Sequence, residues 1–109
     1  MTNEIINESN PEIILGVALL VINKETDLRI IFQLPKPNRH HHLFQVRSKH
    51  FNFDIPCEHY WDMHTEVEGF YSNKAEFLSR ESALEVAIKA KQIINKTNPQ
   101  NELFSEDLW

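Results

Sequence analysis

The chain has 109 residues, a single cysteine and a formal charge of −5. That length suits one domain burying about two-thirds of its unfolded surface, enough for a core without metal or disulfide support. The lone Cys57 excludes an internal disulfide and fits a reducing compartment, and the acidic balance argues against sequence-independent binding to long nucleic acids, which needs a basic surface.

Residues 1–12 are polar and acidic, which predicts a loose N-terminal segment and not a signal peptide. The apolar run Ile13–Ile22 is too short to span a bilayer, so the expected location is the cytosol, with no membrane partner. Its β-branched content predicts instead a central strand over 13–23, buried on both faces. Gly16 within it signals a bulge or a close backbone approach. Lys24–Asp27 reads as a turn, and 28–34 as a second strand that closes an antiparallel hairpin.

Pro35 and Pro37 end the sheet. Asn38 is a plausible N-cap for a helix over 39–47, with Leu43, Phe44 and Arg47 on one face. Residues 50–66 mix aromatic, charged and His residues around Pro56, the pattern of an ordered loop or a short helix. Residues 69–79 read as a hairpin turning at Ser72-Asn73-Lys74. Ser79 then caps a helix in which Ala83, Leu84, Ala87, Ile88 and the Lys91–Ile94 stretch keep helical spacing, with Asn95–Pro99 as its end. The tail 102–109 sets Leu103, Phe104, Leu108 and Trp109 around an acidic centre, too apolar to lie free in water, and is expected to pack back onto the domain or onto a partner protomer. A single domain over 13–109 follows, of the α+β class, with a small antiparallel sheet of about four strands and two helices.

Charge is segregated along this chain. Lys36–His50 holds four Lys/Arg, four His and no carboxylate, whereas 54–68 holds Asp54, Glu58, Asp62, Glu66 and Glu68 and no Lys or Arg. The cationic island suits a compact anion: Arg39 offers a two-pronged grip on phosphate, a neighbouring His a further bond, and a helix start free amide groups. Cys57, His59, His64 and His50 are the candidates for a metal or a small metal-dependent enzyme, but none of the paired ligand spacings of zinc sites occurs, so no metal is expected. The acidic neighbours of Cys57 work against a thiolate nucleophile. Two glycines cannot build a phosphate loop or dinucleotide fingerprint. The carboxylates of 54–68 read as a solvated acidic surface. Among the aromatics able to stack on a base, Phe70 and Tyr71 are neighbours in a strand, so one faces the core and the other is available.

Taken together, Arg39-His40-His41, Gly69-Phe70, Phe77, Arg80, Ala83-Leu84, Ala87, Gln92-Ile93 and Leu103–Trp109 resemble a family of small phage and prophage proteins. That family includes, or lies near, the first type of Thoeris anti-defence proteins, which bind cyclic ADP-ribose isomers and do not degrade them. The resemblance spans roughly 13–109. It implies a non-enzymatic sponge for a nucleotide second messenger, a cyclic ADP-ribose isomer or a cyclic oligonucleotide, with no cofactor and with a homodimer or higher oligomer completing the pocket. Carried over by position, Arg39 would contact a phosphate with His40 beside it, Phe70 would stack on adenine, and Asp107 would meet ribose hydroxyls. Arg80 falls within the matched residues. Lys96 is the nearest cation to the terminal motif, where this chain has Gln100 and Asn101 in place of the expected basic residue. The connection between Arg39 and Gly69 is also longer and more acidic than the family pattern. The competing expectation, from a different class, is a phage protein-interaction module that docks on a host protein through its acidic 54–68 segment.

Overall fold

A computed structural model describes residues 11–51, 58–96 and 101–109. The expectations for residues 1–10, for Cys57 and for Pro99 lie outside those residues. The chain runs β1 (Ile14–Asn23), β2 (Arg29–Pro35), α1 (His40–Phe51), α2 (Glu58–Met63), β3 (His64–Ser72), β4 (Leu78–Ser79), α3 (Arg80–Lys89) and a 3₁₀ turn at Ser105–Asp107. The four strands form one antiparallel sheet in the order β2-β1-β3-β4. The α+β class and the four-strand sheet are as the sequence predicts.

The most apolar segment, β1, takes the centre because only there is a strand flanked by partners along its whole length. Val17, Leu19 and Val21 share one face with Leu34, Phe32 and Ile30 of β2. On the other side they register with Phe70, Glu68 and Glu66 of β3. Leu43 of α1, Ala83, Leu84 and Ala87 of α3, and Leu103 and Leu108 of the tail close over this face as one cluster. Burying each of its larger side chains stabilises the fold by about 1.5–3 kcal/mol. Gly16 sits at a register shift, where a Cβ would lie 2.1 Å from the Leu34 carbonyl oxygen. The close approach that the sequence suggested is therefore the reason for glycine there.

Three local expectations need correction. Asn38 does not cap α1: its side-chain amide donates to Pro35 O at 2.8 Å, closing the proline turn. The helix entry is instead held by Arg39, whose backbone N–H donates to His42 Nδ1 at 2.9 Å. The last helix stops at Lys89 and does not continue through Ile94. Lys91 adopts φ 57°, Gln92 N donates to Ala87 O and Lys91 N to Ile88 O, the paired bonds of a Schellman end. Gln92 then clasps the sheet, its side-chain amide exchanging two hydrogen bonds with the backbone of Ile14 at 2.8 and 3.0 Å. Finally, β3 begins at His64, inside the stretch expected to be irregular. Its alternation is inverted: His64, Glu66 and Glu68 share the helix-covered face with Phe70, while Thr65 and Val67 face outward.

Candidate functional site

The cationic island and the tail meet at the start of α1. Arg39 Nη1 donates to Ser105 Oγ at 2.9 Å, and Nη2 donates to the main-chain oxygen of Trp109. The indole of Trp109 returns a bond to Asn38 O at 3.1 Å. Glu106 is 3.8 Å from Arg39 and largely exposed, a contact of little strength.

His40 is buried, and its Nε2–H donates to Gly69 O at 2.7 Å, which fixes the tautomer. Its ring stands edge-on to Phe70 with centroids 5.2 Å apart. Burial pulls its pKa below the usual histidine value, partly opposed by the Gly69 bond; the Arg80 charge pulls the same way, and Glu68 and Glu106 oppose it. His40 is thus a neutral donor at physiological pH.

Arg80, the first residue of α3, gathers three segments. Nη2 binds Glu68 Oε1 at 2.6 Å, Nη1 donates to Leu103 O at 2.8 Å, and the guanidinium lies 4.4 Å from the Phe104 ring centre. Leu103 N donates back to Arg80 O at 3.0 Å. Deeper in the tail, fully buried Asp107 accepts from Phe104 N at 2.8 Å and lies 3.3 Å from Lys96 Nζ, which also donates to Glu102 O at 2.9 Å.

These groups surround a cavity of about 160 Å³, lined by Arg39, His40, His41, Glu68, Arg80, Phe104, Ser105 and Glu106. Of the six site residues expected from sequence, Arg39, His40 and Arg80 line it. Phe70 does not: it has no exposed surface, so the stacking role drawn from the resemblance does not fit this residue here. The aromatic ring at the cavity is Phe104. Asp107 and Lys96 are engaged with each other and with the tail backbone, so neither lines the cavity, and the ribose contact expected of Asp107 is not available to a fully buried carboxylate. Glu68, Phe104 and Ser105 were not singled out as site residues. The signal for Phe104 and Ser105 was the terminal motif itself, in which Phe104 precedes the turn and Ser105 opens it.

The acidic stretch is not uniformly solvated. Arg47 holds both oxygens of Glu66 at 2.8 and 2.7 Å, Tyr60 Oη donates to the same carboxylate at 2.5 Å, and the Phe44, Tyr60 and Trp61 rings lie 5.1–5.6 Å from the guanidinium. With Glu68 bound by Arg80, Glu66 and Glu68 are both consumed internally among the described residues of this stretch. Among the described residues, no group of three His, Cys, Asp or Glu is arranged to hold a metal ion, and no helix is long and apolar enough to cross a membrane.

Comparison with known proteins gives one result. The family model described as the phage T4 y16D protein matches residues 13–109, and the chain belongs to that family of small phage proteins. No curated protein and no solved structure matches it.

Proposed function

We propose that this member of the phage T4 y16D family sequesters a nucleotide second messenger, a cyclic ADP-ribose isomer, and holds it without turnover. In that reading it is an anti-defence sponge in the cytosol of the infected cell. The observation that carries the reading is the convergence of Arg39 and Arg80 on one cavity with the Ser105 hydroxyl and the Phe104 ring. Two guanidinium groups offer forked donors for phosphate oxygens, and the ring offers a stacking plate. Each guanidinium spends two of its nitrogens on protein oxygens and has five N–H donors in all, so donors remain for a ligand. His40, the group best suited to proton transfer, is committed to structure through its bond to Gly69 O.

The cavity of about 160 Å³ falls short of the roughly 300 Å³ at which small-molecule sites begin. It suits one phosphate-ribose unit, and a second protomer supplies the remainder in the proposed homodimer. A ligand of roughly 35 heavy atoms at about 0.3 kcal/mol per atom gives on the order of −10 kcal/mol, or tens of nanomolar. That affinity is adequate for a sponge. The deciding experiment titrates the protein calorimetrically with cyclic ADP-ribose isomers, then heats the complex and identifies the released molecule by mass spectrometry. Tight binding with intact ligand is expected. A hydrolysed product would make the protein an enzyme, and no heat with any isomer would remove the reading.

A further inference from the structure

The sheet face turned away from the helices holds the second of the paired aromatics. Tyr71 follows Phe70 on β3 and therefore points to the opposite side. Its ring lies over Gly16, where a Cβ would come within 2.7 Å of Tyr71 Cε1. Beside it opens a cavity of about 440 Å³ whose lining includes Leu15, Gln33, Tyr71, Lys74 and Glu76. Its volume is within the range of small-molecule sites, about 300–1,000 Å³, and well above that of the tail cavity.

The walls are held in place. Ser72 Oγ accepts from Lys74 N at 3.1 Å and Ala75 N at 3.0 Å, which shapes the turn. Asn73 ties that turn to the chain before β1, accepting from Ile13 N at 2.8 Å and donating to Pro11 O at 3.1 Å. Gln33 Nε2 donates to Glu76 O at 2.8 Å, which orients the amide and leaves its oxygen as an acceptor. Among the described residues, the Lys74 ammonium and the Tyr71 hydroxyl have no partner. A fixed ring, an oriented amide acceptor and an uncommitted cation on one rim form a recognisable set.

We propose that this cavity is a second ligand site that takes a mononucleotide, its base on Tyr71, its exocyclic amine on the Gln33 amide oxygen and its phosphate on Lys74. The site lies on the opposite face of the sheet from Arg39 and shares no residue with the tail cavity. It therefore stands or falls separately from the sponge reading. A base bearing an amine, such as adenine, is favoured over uracil, which has none to offer Gln33.

The test is a titration of the ¹⁵N-labelled full chain with AMP, UMP and inorganic phosphate, read by amide shifts. AMP is expected to move the Leu15, Tyr71 and Ala75 amides saturably, and UMP to bind more weakly. Tyr71→Leu keeps an apolar cover over Gly16 but loses the ring, and is expected to weaken AMP about tenfold. Lys74→Glu, an exposed change that leaves the fold untouched, is expected to abolish the response. Arg39→Ala is expected to leave it unchanged. Absence of shifts up to about 10 mM AMP would overturn the proposal. So would shifts that survive both Tyr71→Leu and Lys74→Glu, that phosphate alone reproduces, or that disappear in Arg39→Ala.

Discussion

The carboxylate of Asp107 has no exposed surface and lies 3.3 Å from Lys96 Nζ, so the acidic centre of the tail points inward and anchors the tail to the chain that follows α3. Its own backbone oxygen accepts from Ile94 N at 2.8 Å and Asn95 N at 3.3 Å, tightening the same junction. Removing one partner from a buried ion pair typically costs about 3–5 kcal/mol. Asp107→Ala is therefore expected to lower unfolding free energy by about that amount, measured by urea denaturation. A variant as stable as the parent would show that this carboxylate is not seated in the tail.

Arg39 is the cavity's most accessible guanidinium, and its loss tests the sponge reading. Arg39→Ala is expected to weaken nucleotide binding more than tenfold, since a charge-assisted bond to phosphate is worth about 1.5–3 kcal/mol. Arg39→Lys is expected to recover only part of it, because an ammonium keeps the charge but not the forked geometry. Equal affinity for all three proteins in calorimetry would remove Arg39 from the site.

His40 gives the fold a defined acid sensitivity. Its pKa is depressed in the native state, chiefly by burial. Above about pH 6.5, the unperturbed histidine value, both native and unfolded forms are neutral and the group makes no pH-dependent difference. As pH falls below that value the unfolded chain takes up the proton first, so stability declines until the native pKa is passed. The slope from this one group reaches at most about 1.4 kcal/mol per pH unit. His40→Gln keeps an N–H donor for Gly69 without titrating in this range. The pH dependence of its urea midpoint between pH 7.5 and 5.5 is expected to be flatter than that of the parent, and parallel curves would exclude His40 as the source.

The end of α3 offers a stabilising change. Lys91 occupies left-handed backbone at φ 57°, a conformation that glycine adopts without a Cβ penalty. Strain relief outweighs the extra unfolded-state freedom of glycine, so Lys91→Gly is expected to gain about 0.5–1 kcal/mol. A lower melting temperature would mean that the Lys91 side chain contributes more than its backbone costs.

What the sequence made legible was what local chemistry decides. The β-branched run of β1, the Pro35 stop and the Ser79 cap, whose Oγ accepts from Ser82 N at 3.1 Å, all act within a few residues. The end of α3 was missed because a lysine replaces the glycine that usually marks a Schellman end. The start of β3 was missed because core-side positions there are glutamates, which ion-pair partners 12 and 19 residues away make tolerable. The cationic island was visible as a cluster, and the apolar tail was expected to pack back onto the domain or a partner protomer, but its seating on Arg39 through Ser105 and Trp109 was not legible. Nor could the sequence say which of Phe70 and Tyr71 faces inward, since that depends on the register with β1.

Glu66 separates the internal role of the acidic segment from a docking role. If 54–68 were a solvated surface for a host protein, Glu66→Gln would change stability by less than about 0.5 kcal/mol. The structure places this carboxylate between Arg47 and Tyr60, with the Arg47 and Glu66 side chains only 12% and 10% exposed. Glu66→Gln removes a carboxylate paired with a nearly buried guanidinium, and a loss of about 3 kcal/mol is expected. Arg47→Met strands the carboxylate in the same way and is expected to cost a similar amount. Once both charges are gone, the amide oxygen introduced by Glu66→Gln can still accept from the Tyr60 hydroxyl, and a methionine can fill the ring-lined space. The double variant is therefore expected to be more stable than the sum of the single losses predicts, by about 2 kcal/mol in a double-mutant cycle. Additive losses would mean that the two side chains stabilise the fold independently, and a neutral Glu66→Gln would return the segment to the surface.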